Sequence, residues 1–394
     1  MWAGAGKTAI IGWGLSEIVR TDPPPLGRLA LDACRAALAD ANLPPEEIDG
    51  LATFPDQPFH GAANQDGIDL VSVSFLLDHL HLARDVGWYA QVSDGMIASA
   101  VGEAVNALLA GVCRYVLVWR AMRRPPGRYG RWTEDQVGGD RQFTAPYGFT
   151  SILQTHAVAY RRYLHRYRAR RETMAELAVN SRRNAQLNPH AIFRDRPMSH
   201  ADYHTARMVA DPLCLFDCDV PVQGCAAVVL TTEDRARDRV ERPAYVLGYA
   251  QQTARRPPLP QPLYMLADHV QIGRSTTGKL WSRAGIGPGE VDVAQLYDGF
   301  SPSVYYWLEA AGFCPEGQAH EFIQDGRIGL TGQLPVNTFG GSLSEGRLHG
   351  MGHIIEAARQ VTGRAGPRQV SGASVAVALD GSPLLRNCGI VLRG

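Results

Sequence analysis

The chain lacks an excess of charge, an apolar run of bilayer length and any ordered cysteine pattern, and each lack removes a class of function. Its 39 lysines and arginines are matched by 39 acidic residues. A balanced molecule has no overall field for a polyanion, so no nucleic-acid partner is expected. No apolar stretch reaches the roughly 20 residues of a membrane span, and the first residues lack the apolar core of a signal peptide. No membrane span and a cytoplasmic location are therefore expected. The seven cysteines, at 34, 113, 214, 218, 225, 314 and 388, are odd in number and scattered, which argues against a disulfide framework. Cys214 and Cys218 have a helical spacing, but no second pair completes a zinc site, so no metal is expected. The opening GAGKTAIIGWG has the Gly-Lys-Thr of a phosphate loop without the rest of it. The glycine required five residues before Gly6 is replaced by Met1, and the loop precedes a strand instead of following one.

What is present reads as an α/β protein. At 394 residues, 45% of them hydrophobic, the chain is long enough for two lobes, since single cores stop growing near about 250–300 residues. Thr8 to Trp13 reads as a buried strand. Leu26 to Leu43 is an amphipathic helix with Leu29, Ala33, Ala36, Ala37 and Ala41 on one face, and Ile48 to Phe54 is the next strand. A helix of small residues from Ile97 to Leu109, closed by Gly111, precedes a strand from Tyr115 to Trp119. The second half closes with Ser374 to Gly381 and Gly389 to Gly394. This alternation predicts mostly parallel sheets covered on both faces.

The unit recurs. ANLPPEEID (41–49) aligns with AGIGPGEVD (284–292), and AIIGWG (9–14) with YVLGYA (245–250), two matches in the same order about 240 residues apart. They predict an internal duplication, with halves at 1–240 and 241–394 and an insertion in the first at about 121–220. The insertion carries two predicted helices, Ser151 to Arg170 and Glu172 to Asn188, and the strand Gly224 to Thr232 returns the chain to the core. Its run YRRYLHRYRARR (160–171) is a solvated helix face, a nucleic-acid patch, or a set of basic side chains placed for the phosphates of a coenzyme.

The densest polar stretch is LPVNTFGGSLSEGRLHGMGHIIEAARQVTG (334–363). Asn337 and Thr338 precede Gly340 and Gly341; Ser344, Glu345, Arg347, His349 and His353 then lead into a helix with Ile354, Ile355, Ala358 and Val361 on one face, stopped by Gly363. Glycines that let backbone approach closely, beside ionisable side chains at a helix entrance, suit an active-site loop. An ordinary Gly-rich turn is the alternative. A second polar cluster, QLYDGF (295–300), lies just upstream.

LYDGFSPSVYYWLEAAGFCPEG (296–317), LPVNTFGGSLSEGRLHG (334–350) and the paired halves resemble the thiolase superfamily over essentially the whole chain. Within its sterol-carrier, lipid-transfer-protein branch they resemble the bacterial steroid side-chain aldolases. The resemblance implies a thiolase-like α/β fold of two pseudo-duplicated halves, with five-stranded mixed sheets around central helices and a lid-like insertion. It also implies a cysteine at the N-terminus of the first half's buried helix, where this chain has Gln91-Val-Ser-Asp-Gly95. A second reactive cysteine is implied before the turn Leu379-Asp-Gly-Ser-Pro383. Cys113 lies past the far end of the helix, and Cys388 comes too late. Without either thiol there is no route to the acyl-thioester of thiolysis.

In the steroid aldolases a tyrosine equivalent to Tyr297 is implicated in proton transfer, with a second tyrosine on the Gly-rich loop. Here that second position is Arg347, a poor base but a fit partner for developing negative charge. His349 is a candidate acid or base, Asn337 a candidate oxyanion or backbone contact, and Asp94 a candidate carboxylate base at the site of the lost nucleophile, beside Ser93. Each has a structural alternative: Tyr297 bonded to a core carbonyl, Arg347 braced by Glu345 or Asp298, His349 and His353 as packing residues. The expected reaction is retro-aldol cleavage of a bulky, steroid-like 3-hydroxyacyl-CoA. A cysteine-less acyltransferase and a non-catalytic subunit are the alternatives. No cofactor is expected beyond the CoA thioester as substrate. The resemblance implies a homodimer and a small OB-fold and zinc-ribbon partner protein.

Overall fold

A computed structural model describes residues 2–54, 65–82, 86–92, 96–123, 138–253 and 270–394. The first half contributes β1 (Thr8–Leu15), α1 (Leu26–Asp40), β2 (Gly50–Thr53), α2 (Val73–Leu80), β3 (Trp88–Gln91), α3 (Ile97–Leu109) and β4 (Tyr115–Met122). Between β4 and the return strand β7 (Gly224–Thr232) lie α4 (Ile152–Tyr167), α5 (Ala175–Gln186), α6 (His200–His204) and a small hairpin, β5 (Met208–Ala210) with β6 (Leu213–Cys214). After α7 (Glu233–Arg239), the second half runs β8 (Ala244–Thr253), α8 (Gln271–Ala284), β9 (Val293–Leu296), α9 (Pro302–Ala310), α10 (Ala319–Phe322), α11 (Gly341–Ser344), α12 (Met351–Val361), β10 (Val375–Gly381) and β11 (Arg386–Arg393).

Nine strands form one continuous sheet in the order β3-β2-β4-β7-β1-β8-β11-β10-β9. The two expected five-stranded sheets are thus one surface among the described residues: five strands from the first half, four from the second. They join where β1 meets β8 antiparallel, Ala9 opposite Tyr245. These two strands are the first aligned repeat, so the duplication meets itself at the centre of the sheet. The expectation of mostly parallel pairing needs correction. Among the described strands only β2 with β3, β2 with β4, and β9 with β10 pair in parallel. β10 turns directly into β11, and a connection that short joins only antiparallel neighbours.

Three apolar cores result. α3 and α12 share the central one with strands of both halves. α1 and α2 cover the opposite face of the first half, and α8 and α9 that of the second, where α4 also packs. The basic run on α4 splits by face. Tyr160 and Tyr163 are buried, with Tyr163 donating to Glu309 at 2.6 Å. Arg166 pairs at the surface with Glu316 at 3.5 Å. The run is a solvated helix face over an aromatic seam.

The second aligned repeat has a structural meaning. Each copy ends a helix, makes a short 3-10 turn (Pro45–Glu47, Pro288–Glu290) and enters a strand. Its terminal aspartate then ties the start of the neighbouring strand. Asp49 accepts from the backbone of Arg114 and Tyr115 at 2.8 and 2.9 Å, and Asp292 from that of Ser374 and Val375, both at 2.9 Å. Loss of either carboxylate leaves two strand-entry N–H groups without their acceptor. Asp49→Ala and Asp292→Ala are each expected to cost about 1–3 kcal/mol by denaturant midpoint; an unchanged midpoint would contradict the equivalence.

Candidate active site

Tyr297 follows the last residue of β9, and its N–H donates to the Leu379 carbonyl of β10 at 2.8 Å. It therefore lies at the carboxyl ends of two parallel strands, where open α/β sheets place their sites. Its ring lies over Gly299: a Cβ there would fall 2.8–3.0 Å from the ring and the hydroxyl, so glycine is required for the approach. The side chain is partly exposed, and no hydrogen bond among the described residues uses its hydroxyl. Burial holds the phenol well above its ordinary pKa; Asp219 adds to the rise and Arg347 opposes it. At neutral pH Tyr297 is a neutral O–H.

The next residue anchors the Gly-rich loop. Asp298 is fully buried and accepts from the N–H groups of Ser342 (2.7 Å) and Leu343 (3.3 Å), with His353 Nε2 at 3.1 Å. Its carboxylate fills the space a side chain at Gly341 would take, and that backbone has φ +62°. Asn337, itself at φ +48°, uses both ends of its amide on one residue: Oδ1 accepts from Leu296 N at 2.7 Å and Nδ2 donates to Leu296 O at 2.8 Å. Asn337 thus fixes the strand end that carries Tyr297, a backbone contact made by both ends of its amide.

Arg347 and His349 come to the same place from the other side of the loop. Arg347 Nε lies 3.6 Å from Asp219 Oδ2. Among the described residues its ion-pair partner is therefore Asp219, on the segment before β7, in place of the expected Glu345 or Asp298. Asp219 N donates to Gly299 O at 3.1 Å and Arg347 N to Val220 O at 2.9 Å, so this segment bridges the tyrosine turn and the loop. His349, buried at φ +44°, has Nδ1 2.8 Å from Nη2 of Arg120 on β4. A guanidinium only donates, so Nδ1 accepts and the ring proton sits on Nε2.

Arg120, Asp219 and Asp380 are the members not singled out from the sequence. Burial lowers Arg120 to about 9, and the like charge of Arg347 contributes. Burial pushes Asp380, on β10, up to about 7, against His353, the N–H groups of Ala98 and Gly381, and Arg120. The signal for Arg120 was a lone charge inside the apolar run YVLVWRAM. Asp94 and Ser93 lie outside the described residues. The structure thus brings Tyr297, Arg347, His349 and Asn337 together with Arg120, Asp219, Asp298, His353 and Asp380.

No thiol joins them as a ready nucleophile. Cys113 follows the carboxyl end of α3 and burial, with Asp49, raises it to about 12. Cys388 is buried in β11 and also raised by burial. Among the described residues no cluster of His, Cys, Asp and Glu has the arrangement of a metal site, and no helix is long and apolar enough to cross a membrane.

Residues 271–392 match the thiolase C-terminal domain-like family. The chain is 33% identical to a 17-hydroxy-3-oxo-4-pregnene-20-carboxyl-CoA lyase of Mycobacterium tuberculosis, over 91% of this chain and 92% of the relative. It is 32% identical to a steroid side-chain-cleaving aldolase of Thermomonospora curvata, over 91% of each. Among solved structures, the Ltp2-ChsH2(DUF35) aldolase superposes with a TM-score of 0.88 at 30% identity, over 99% of this chain and 98% of that one. Human mitochondrial 3-ketoacyl-CoA thiolase, at 13% identity and a TM-score of 0.69 over 98% of both chains, shares the fold. Sequence and fold agree: the chain belongs to the thiolase superfamily, in its family of steroid side-chain aldolases.

Proposed function

We propose that this chain cleaves the Cα–Cβ bond of a bulky 3-hydroxyacyl-CoA thioester, releasing a ketone or aldehyde and a shortened acyl-CoA. The observation that carries the reading is Tyr297, its hydroxyl without a hydrogen bond among the described residues, close enough to buried Arg120 and half-buried Arg347 to be felt by both, and with every thiol raised out of the reactive range or remote from it. Retro-aldol cleavage moves one proton from the β-hydroxyl and leaves an enolate; it needs proton transfer and charge stabilisation, and no covalent nucleophile. Tyr297 is the proton-transfer group. Arg120 and Arg347 are close enough for each to be felt by the other, a repulsion that an enolate oxygen relieves. Asn337, Asp298 and His353 hold the turn and loop in register. A steroid-like acyl group is supported by the substrates in the names of the relatives.

The rest of the assembly is read by likeness. A similar chain is solved in a complex named with a DUF35 component, which supports a small partner protein of that type. A homodimer is proposed on the superfamily resemblance. The CoA thioester enters as substrate, and the reaction as written calls on no redox group.

Tyr297→Phe removes the transferable proton while keeping the ring over Gly299. It is expected to lower kcat by about 10²–10⁴-fold with a smaller change in KM, measured by steady-state cleavage of a branched 3-hydroxyacyl-CoA. An unchanged kcat would remove Tyr297 from the chemistry. Arg347→Ala is expected to lower kcat/KM by about 10–100-fold, with partial recovery in Arg347→Lys, which restores charge without the planar fork. Equal loss in both variants would make the residue structural.

A further inference from the structure

Proposed cleavage leaves one question of proton accounting. A neutral phenol takes the proton of the β-hydroxyl only if its own proton has somewhere to go. The residue beside Tyr297 on the neighbouring strand is Asp380. β9 and β10 are parallel, the last pair is Leu296 opposite Leu379, and Tyr297 N still donates to Leu379 O at 2.8 Å, so Tyr297 and Asp380 are the residues that follow that pair on the two chains. Level residues of a parallel ladder send their side chains to the same face, about 4.8 Å apart at the backbone. The face is the one on which α3 and α12 begin. One Asp380 oxygen lies 3.3 Å from Ala98 N in the first turn of α3, and the other accepts from Gly381 N at 2.8 Å. The carboxylate also lies against the backbone of Gly350, the residue before α12, where a Cβ would run into it. Two helix N-termini therefore converge on one side chain.

These surroundings pull in opposite directions. The helix ends, Arg120 from β4 and His353 from α12 favour the carboxylate, while complete burial favours the acid. Among the described residues, Tyr297 at the end of β9 and Cys388 of β11 are the other titratable neighbours, each raised in part by the charge on Asp380. α3 presents only backbone N–H to it. A group that lies near its midpoint at neutral pH gains and loses a proton at little cost, which suits a relay.

Resting on the retro-aldol reading, we propose that Asp380 is the proton relay behind Tyr297. As the substrate's β-hydroxyl proton passes to the Tyr297 oxygen, the phenol proton passes through one bridging water to the Asp380 carboxylate, since no direct hydrogen bond joins the two side chains. The Cα–Cβ electron pair becomes the enolate and the hydroxyl oxygen becomes the carbonyl. Tyr297 then gives its proton to the enolate carbon and regains one from Asp380. One proton has moved from oxygen to carbon, and both side chains return to their starting states. Asp380 acts through Tyr297 and is in that sense a positioning residue.

The relay requires the carboxylate, so kcat is expected to rise with pH through about 7 and level off above it. The test is a pH profile of cleavage by the chain with any co-purifying partner, from about pH 5.5 to 9. Asp380→Asn keeps the shape and an acceptor oxygen for the helix N-terminus. It is expected to lower kcat about 100-fold or more, to leave KM within about threefold, and to abolish the acid limb. Asp380→Glu is expected to retain activity with the limb displaced. Asp380→Asn with kcat within about threefold of wild type, or with the limb in place, overturns the relay. Should Asp380→Asn fail to fold, by circular dichroism, the glutamate variant decides: an undisplaced limb overturns the proposal. Failure of the wild type to cleave any 3-hydroxyacyl-CoA sinks the retro-aldol reading itself, whereas wild-type cleavage indifferent to residue 380 sinks only the relay.

Discussion

The carboxylate of Asp298, buried between the end of β9 and the Gly-rich loop, receives two backbone N–H groups from the loop's short helix and faces a histidine from α12. A buried carboxylate is tolerated only when its lone pairs are met, and here the donors come from segments about 45 residues away in sequence. The contact sets where the loop begins, requires a glycine at 341, and thereby fixes the entry of Arg347 and His349. The segment 219–220 then ties the same two pieces from outside through three backbone bonds, at Gly299, Ser342 and Arg347. Tyr297 sits inside this frame and takes its position from it.

Around that frame the chain has gathered buried charge. Asp380 occupies the N-terminus of α3, and that helix end is complemented by a carboxylate from the other half of the molecule. Arg120 and Arg347 bring two positive charges into a buried region with Asp219 and Asp380. Such a cluster costs stability through desolvation and holds its groups away from their ordinary pKa values, a pattern that accompanies catalytic sites. The site thus suits stabilisation of a transient anion better than formation of a covalent acyl intermediate.

Much of this was legible in the sequence. α3 has the predicted bounds of 97–109, and β7 those of 224–232, because small-residue and apolar runs ended by clear breakers leave little choice. The aligned repeats proved to be equivalent elements, down to Asp49 and Asp292 tying equivalent strands. Tyr297 and the loop were found by motif. Strand direction was less legible, since pairing across the molecule is set by tertiary contacts and short connections rather than by local pattern. Arg120 and His349 are 229 residues apart, and Ala98 and Asp380 282 apart; no spacing rule joins them. Arg347 was singled out, but its partner Asp219 lay in the insertion and carried no motif.

The most direct test of the account is product identification. The purified chain, with any co-purifying partner, is incubated with branched 3-hydroxyacyl-CoA thioesters and the mixture resolved by mass spectrometry, with isotope-labelled CoA thioesters present to report acyl exchange. The account predicts a carbonyl compound and a shortened acyl-CoA in equal amounts, with no label exchange between thioesters. Label exchange without a carbonyl product, or neither product nor exchange, would contradict it.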